Sequence, residues 1–104
     1  MKLRIVVLRQ ADSDIDSIIT WLANRSPSGA RSWYQALESA FDWLESNAPS
    51  CGVAPENESF PEEIRQHLFK TRRGRPYRLL FTIAGPQVRI LHVRGPGQDL
   101  VRPE

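Results

Sequence analysis

A chain of 104 residues is long enough for one domain with one substantial core and too short for two. With 25% charged and 40% hydrophobic residues its composition is that of a globular protein, not a disordered one, and no apolar run reaches the roughly 18 residues of a membrane-spanning helix. No apolar signal segment follows Met1 and Lys2, and the single cysteine, Cys51, excludes an internal disulfide, so a reducing cytoplasm is the expected setting.

The net charge of +2 says little; its distribution says more. From Ile64 onward there are nine Lys or Arg residues against two acids, Asp99 and Glu104. A basic C-terminal half suggests an anionic partner, nucleic acid or an acidic protein segment. The alternative is that edge strands carry cations to prevent sheets from aggregating.

"KLRIVVLR" at the start is a short β-branched run and predicts a strand. In "ADSDIDSIITWLAN", Ile15, Ile18, Ile19 and Leu22 recur at helical spacing, with Asp12 or Ser13 placed to cap the first amides. Ser26 as cap and Pro27 at the first helical position open a second helix, Pro27 to about Ser46, striped by Ala30, Trp33, Leu37, Phe41 and Leu44. Trp21 and Trp43 fall off these stripes, so they either shield the seam between the helices or stay exposed for a partner. Residues 48–62 form a Pro-rich, acidic linker whose length points to a hidden helical turn or a functional loop. Three strands follow, Ile64–Lys70, Tyr77–Ala84 and Val88–Arg94, the last two joined by "AGPQ", a hairpin turn.

This order predicts one α+β domain over residues 1–104, βααβββ, with the two-helix hairpin on one face of a mainly antiparallel four-stranded sheet and residues 94–104 as an irregular tail. Ile19, Leu37, Phe41, Leu79 and Phe81 are the expected core. In the third strand Tyr77, Leu79, Phe81 and Ile83 alternate toward the helices, which turns Arg78 to the other face, expected to be open. Arg78 there is either a phosphate-gripping group held on a rigid sheet or a solvated or carboxylate-paired strand arginine.

Familiar catalytic motifs are missing: no G-x-S-x-G elbow, no glycine-rich phosphate loop before a helix, no H-E-x-x-H. Cys51, His67 and His92 make no ligand cluster, and neither metal nor cofactor is expected. Cys51 reads as an inert linker thiol, His92 as a structural histidine and His67 as a surface strand residue. One chemistry would suit the inventory. Metal-free RNA cleavage uses the substrate's own 2′-hydroxyl, so arginines on a sheet need only neutralise the phosphate while an acid–base partner moves protons.

Taken as an ordered set, "ADSDIDSIITWLANRSP", "ARSWYQALESAFDWLE", "APE", "IRQHLFKTRRGRPYRLLFTI" and "VRILHVRG" resemble the RelE/ParE toxin superfamily of type II toxin–antitoxin modules over nearly the whole chain. The resemblance implies a small cytoplasmic bacterial toxin, of the kind also called plasmid stabilisation proteins. A co-expressed antitoxin with a disordered tail would neutralise it; no membrane and no small-molecule substrate is implied. RelE-like members cut mRNA at the ribosome, whereas ParE-like members bind DNA gyrase. Arg78, in "YRLLF", matches the strand arginine that contacts the scissile phosphate in RelE-like enzymes, and Lys70 and Arg72 lie where RNA-cutting members place lysines. The match stops near Gln98, where a basic residue is missing, and "QDLVRPE" lacks the tyrosine of those enzymes. The resemblance therefore favours a ParE-like, gyrase-binding inhibitor, with a RelE-like mRNA endonuclease as the alternative and a decayed, non-toxic member as the second. Arg65, Arg73, Arg75, Arg94, Trp21 and Trp43 are the expected partner or nucleic-acid contacts.

Overall fold

The structure, a computed structural model, describes residues 2–96. The chain runs β1 (Arg4–Val7), α1 (Arg9–Arg25), α2 (Pro27–Asn47), β2 (Arg65–Phe69), β3 (Tyr77–Ala84) and β4 (Gln87–Arg94). The sheet order is β1-β4-β3-β2, with β1 parallel to β4 and the other pairs antiparallel. The expected α+β architecture is present, as an open mixed sheet with the helix pair on one face. Residues 97–104, which hold most of the expected tail together with Gln98 and "QDLVRPE", lie outside the described residues.

The helix boundaries obey local chemistry in one case and not in the other. The Ser26 hydroxyl accepts the Gly29 amide at 3.1 Å and Pro27 occupies the first turn, so α2 starts where its capping residues place it. α1 does not start at Asp12 or Ser13. It begins at Arg9, directly after β1, with Leu8 at the cap position and no side-chain cap. Leu8 is fixed by the sheet instead, its amide donating to the Ile90 carbonyl at 3.0 Å. Asp12 stays in the first turn, where its charge suits the helix dipole.

Between helices and sheet lies the main core, with Ala11, Ile15, Trp33, Leu37, Ala40 and Leu44 meeting Leu79, Phe81, Val88, Ile90 and Val93. Ile19 and Phe41 pack against its margin and remain partly exposed. A bulge shapes the sheet side: Leu80 pairs with His92 and Phe81 with Ile90, so Leu91 is the extra residue. This skip lets Ile90 and Val93 both face the helices although three positions separate them, and turns His92 to the far face. The β3–β4 turn is two residues long, with Gly85 at φ +58 in the left-handed region and Pro86 after it.

The far face is not open as expected. The linker folds back over it through two 3-10 turns, Ala48–Ser50 and Pro55–Ser59, and Ala54 and Ile64 form a second small core with Leu80, flanked by Phe60 and Leu91. Its backbone also pairs with the outer edge of β2, the Ala54 amide donating to Ile64 and the Gln66 amide to Gly52. Leu80, on the far side of β3, has to be covered by something, and the linker supplies the apolar partners.

Candidate functional site

The fold sorts the basic residues into two groups. Arg78 and Arg94 face one another across β3 and β4, with Leu68 beyond Arg78 on β2; the next row holds Gln66, Leu80 and His92. Arg78 is already occupied. Its two terminal nitrogens donate to Glu56 Oε1 at 2.9 Å and Oε2 at 2.7 Å, and one also donates to Gln66 Oε1 at 3.1 Å. Glu56, carried in by the second linker turn, is only 1% exposed. A bidentate guanidinium–carboxylate pair of this geometry is strong and directional, and its burial makes losing either partner costly.

Other charges on the sheet are also used within the chain. Arg65 pairs with Glu63 at 2.7 Å and donates to the Pro49 and Cys51 carbonyls, tying the start of β2 to the linker. Arg89 donates to Gln87 at 2.9 Å. Asp14 reaches from α1 to accept the Val93 amide at 3.0 Å, on the stretch of β4 that β1 is too short to cover, and lies 3.6 Å from His92 Nδ1. Burial holds the His92 pKa below its usual 6.5, against the opposing pull of the Asp14 carboxylate.

At the β2–β3 hairpin tip the situation is reversed. Lys70, Arg72, Arg73 and Arg75 are exposed and make no ion pair among the described residues. The tip is tight: the Gly74 amide donates to the Thr71 carbonyl, and a Cβ on Gly74 would collide with the Thr71 hydroxyl. The two tryptophans off the helix stripes are exposed rather than sealing the seam. Trp21 is 54% exposed, with the Arg25 guanidinium 4.1 Å above its ring, one helical turn on. Trp43 is 42% exposed and stacks on His67 at 4.4 Å, nearly parallel. His67 is therefore half-buried under an indole, not a free surface residue, and burial lowers its pKa.

A groove of about 590 Å³ runs between the helices and the hairpin, lined by Ile18, Trp21, Trp33, Tyr77, Arg75 and Pro96 among others. The Trp33 indole N–H is buried there without an acceptor among the described residues. Cys51 is buried in the core, and burial pushes its pKa up, away from the reactive thiolate. Among the described residues no three His, Cys, Asp or Glu side chains are grouped to hold a metal, and no helix is long and apolar enough to cross a membrane.

Of the expected catalytic residues, Arg78 thus lies on the far face in a buried pair, while Lys70 and Arg72 lie at the hairpin tip. Sequence reasoning missed Glu56 and Asp14, the acids that organise these arginines and strands. The only signal for Glu56 was a carboxylate in a linker long enough to fold back over the sheet.

Helix pair, mixed sheet and sorted cations define a small α+β protein with one outward-facing basic hairpin. The family model described as the ParE toxin of the type II toxin–antitoxin system, parDE, matches residues 5–100, and the chain belongs to that family. Among solved structures it is similar to one titled the chromosomal ParDE TA system from P. aeruginosa, at 21% identity and a TM-score of 0.66 over 89% of this chain and 95% of that one. That likeness concerns the fold. No curated protein matches the sequence.

Proposed function

We propose that the protein is a cytoplasmic growth inhibitor that acts by binding DNA gyrase and is silenced by a cognate antitoxin. Membership of the ParE family implies an antitoxin partner. The observation that supports binding over RNA cutting is the state of Arg78. In the nuclease reading this side chain must meet a phosphate, yet Glu56 fills both of its terminal nitrogens and Gln66 takes a third hydrogen bond. A phosphate would have to displace a buried carboxylate before any transition state could be stabilised there. His92, in the next row of the same face, is held toward its neutral form by burial and sits beside Asp14.

The test is induction in bacteria, with mRNA integrity and DNA topology followed side by side. The expected result is growth arrest with intact mRNA and gyrase-linked DNA damage, reversed by co-expression of the neighbouring antitoxin gene. Rapid codon-linked mRNA cleavage would overturn the reading in favour of a RelE-like endonuclease. Harmless overproduction of folded protein would point to a member that has lost its toxicity.

A further inference from the structure

We propose that the β2–β3 hairpin tip and Trp21 together form a binding surface for single-stranded nucleic acid. Lys70, Arg72, Arg73 and Arg75 would grip consecutive phosphates while a base stacks on the Trp21 indole. The surface requires neither cleavage nor gyrase, so it goes beyond the function proposed above and is tested separately from it.

The first argument is the division of charge. Residues 64–96 contain eight Lys or Arg and no carboxylate. Arg65 and Arg78 are held by Glu63 and Glu56, and Arg89 is held by Gln87, whereas the four hairpin cations meet only solvent among the described residues. Within residues 64–96 the cations left to solvent are therefore gathered in six residues of one tight turn. Three of the four are arginines, whose planar forks suit phosphate oxygens. Like charges crowded this closely repel, and a polyanion relieves that repulsion while releasing its own counterions.

The second argument chooses between polyanions. Trp21 lines the same groove as Arg75, Thr71 and Gly74, so the ring lies beside the cationic tip. Half exposed and backed by the Arg25 guanidinium, it is a stacking platform of the kind that accepts any base by its π-face. Trp33 and Tyr77 line the same groove and add to its aromatic wall. An acidic peptide would answer the cations alone. A single strand answers the cations and the aromatic wall together, whereas a duplex keeps its bases stacked away from Trp21.

The experiment is fluorescence anisotropy of a short labelled oligothymidylate with the full chain, titrated between about 50 and 200 mM salt. Three or four neutralised phosphates predict a slope of log K against log salt of about −2 to −3. The double variant Arg72→Gln/Arg73→Gln should weaken binding at least about tenfold at low salt and flatten the slope by roughly 1.4. Trp21→Ala should weaken binding by about fivefold to a hundredfold with the slope unchanged, and Trp21→Phe should retain most of the affinity. All three positions are exposed, so the melting temperature of each variant confirms that the fold is kept. The proposal is overturned by any of three results: no binding by the parent, a slope indifferent to the arginine pair, or an affinity indifferent to Trp21. Tighter binding of a glutamate-rich peptide of equal charge would also overturn it and assign the surface to an acidic protein segment.

Discussion

Two arginine-bearing regions of one sheet behave in opposite ways. On the far face, Arg78 is fixed by Glu56 and Gln66 beneath a folded linker, and its charge is internal to the domain. At the hairpin tip, Arg72, Arg73 and Arg75 project from a tight turn and their charge is directed outward. A basic sequence segment is thus not one surface. Where a loop carrying a carboxylate folds back, the cation becomes a strut; where none returns among the described residues, it stays available to a partner.

The comparison is broken most directly by removing one member of the buried pair. Arg78→Ala or Glu56→Ala should each cost about 3–5 kcal/mol, because the remaining charge is stranded under the linker. A double change to Met at both positions should recover much of that loss. Urea melts of the four proteins give the answer, and an Arg78→Ala variant as stable as the parent would show that the pair is not a strut. Asp14→Ala comes next, at about 1–3 kcal/mol, since the Val93 amide then loses its acceptor in a partly buried place.

The pH response follows from His67 and His92. Burial lowers both below the usual 6.5, so the unfolded chain binds protons that the folded chain resists. Their contribution is fully present above about 6.5 and is lost as pH falls below it. Stability measured at pH 7.5 and 5.5 should therefore drop on the acid side, and His67→Gln with His92→Gln should make the drop shallower. The smallest stability effect belongs to the hairpin: Arg72→Ala with Arg73→Ala should change folding free energy by less than about 0.5 kcal/mol. A large loss there would erase the distinction between strut and surface.

Much of the fold was legible because it rests on periodicity. The alternation Tyr77, Leu79, Phe81, Ile83 set the bounds of β3 correctly, and Ser26–Pro27 marked the start of α2. What escaped was decided by tertiary contact. The start of α1 is fixed by the hydrogen bond from Leu8 to Ile90 across the sheet, which no local capping pattern encodes. The bulge at Leu91 reconciles two inward residues three positions apart and is invisible until β3 is alongside. The covering of the far face was foreshadowed by the length of the linker and by Leu80, an apolar side chain on the side expected to be open. In the site, the residue types were readable and their partners were not. Arg78 was recognised as unusual, but Glu56, 22 positions earlier, declares itself only when the linker closes.

The parallel pairing of β1 with β4 has a consequence for the order of events during synthesis. Arg4 lies opposite Gln87 and Val7 opposite Ile90, so β1 waits for β4, some eighty residues later in the chain, before it can pair. Until then β1 has no strand neighbour, the amide of Leu8 has no acceptor, and the start of α1 is unanchored. Closing so long a stretch of chain is entropically slow compared with forming the helix pair or the β2–β3 hairpin. A nascent chain can thus display the basic hairpin before its sheet is complete, while the finished architecture must await translation of β4. For a molecule whose family is made alongside an inhibitor, that delay is an interval in which the two polypeptides can meet before the toxin is whole.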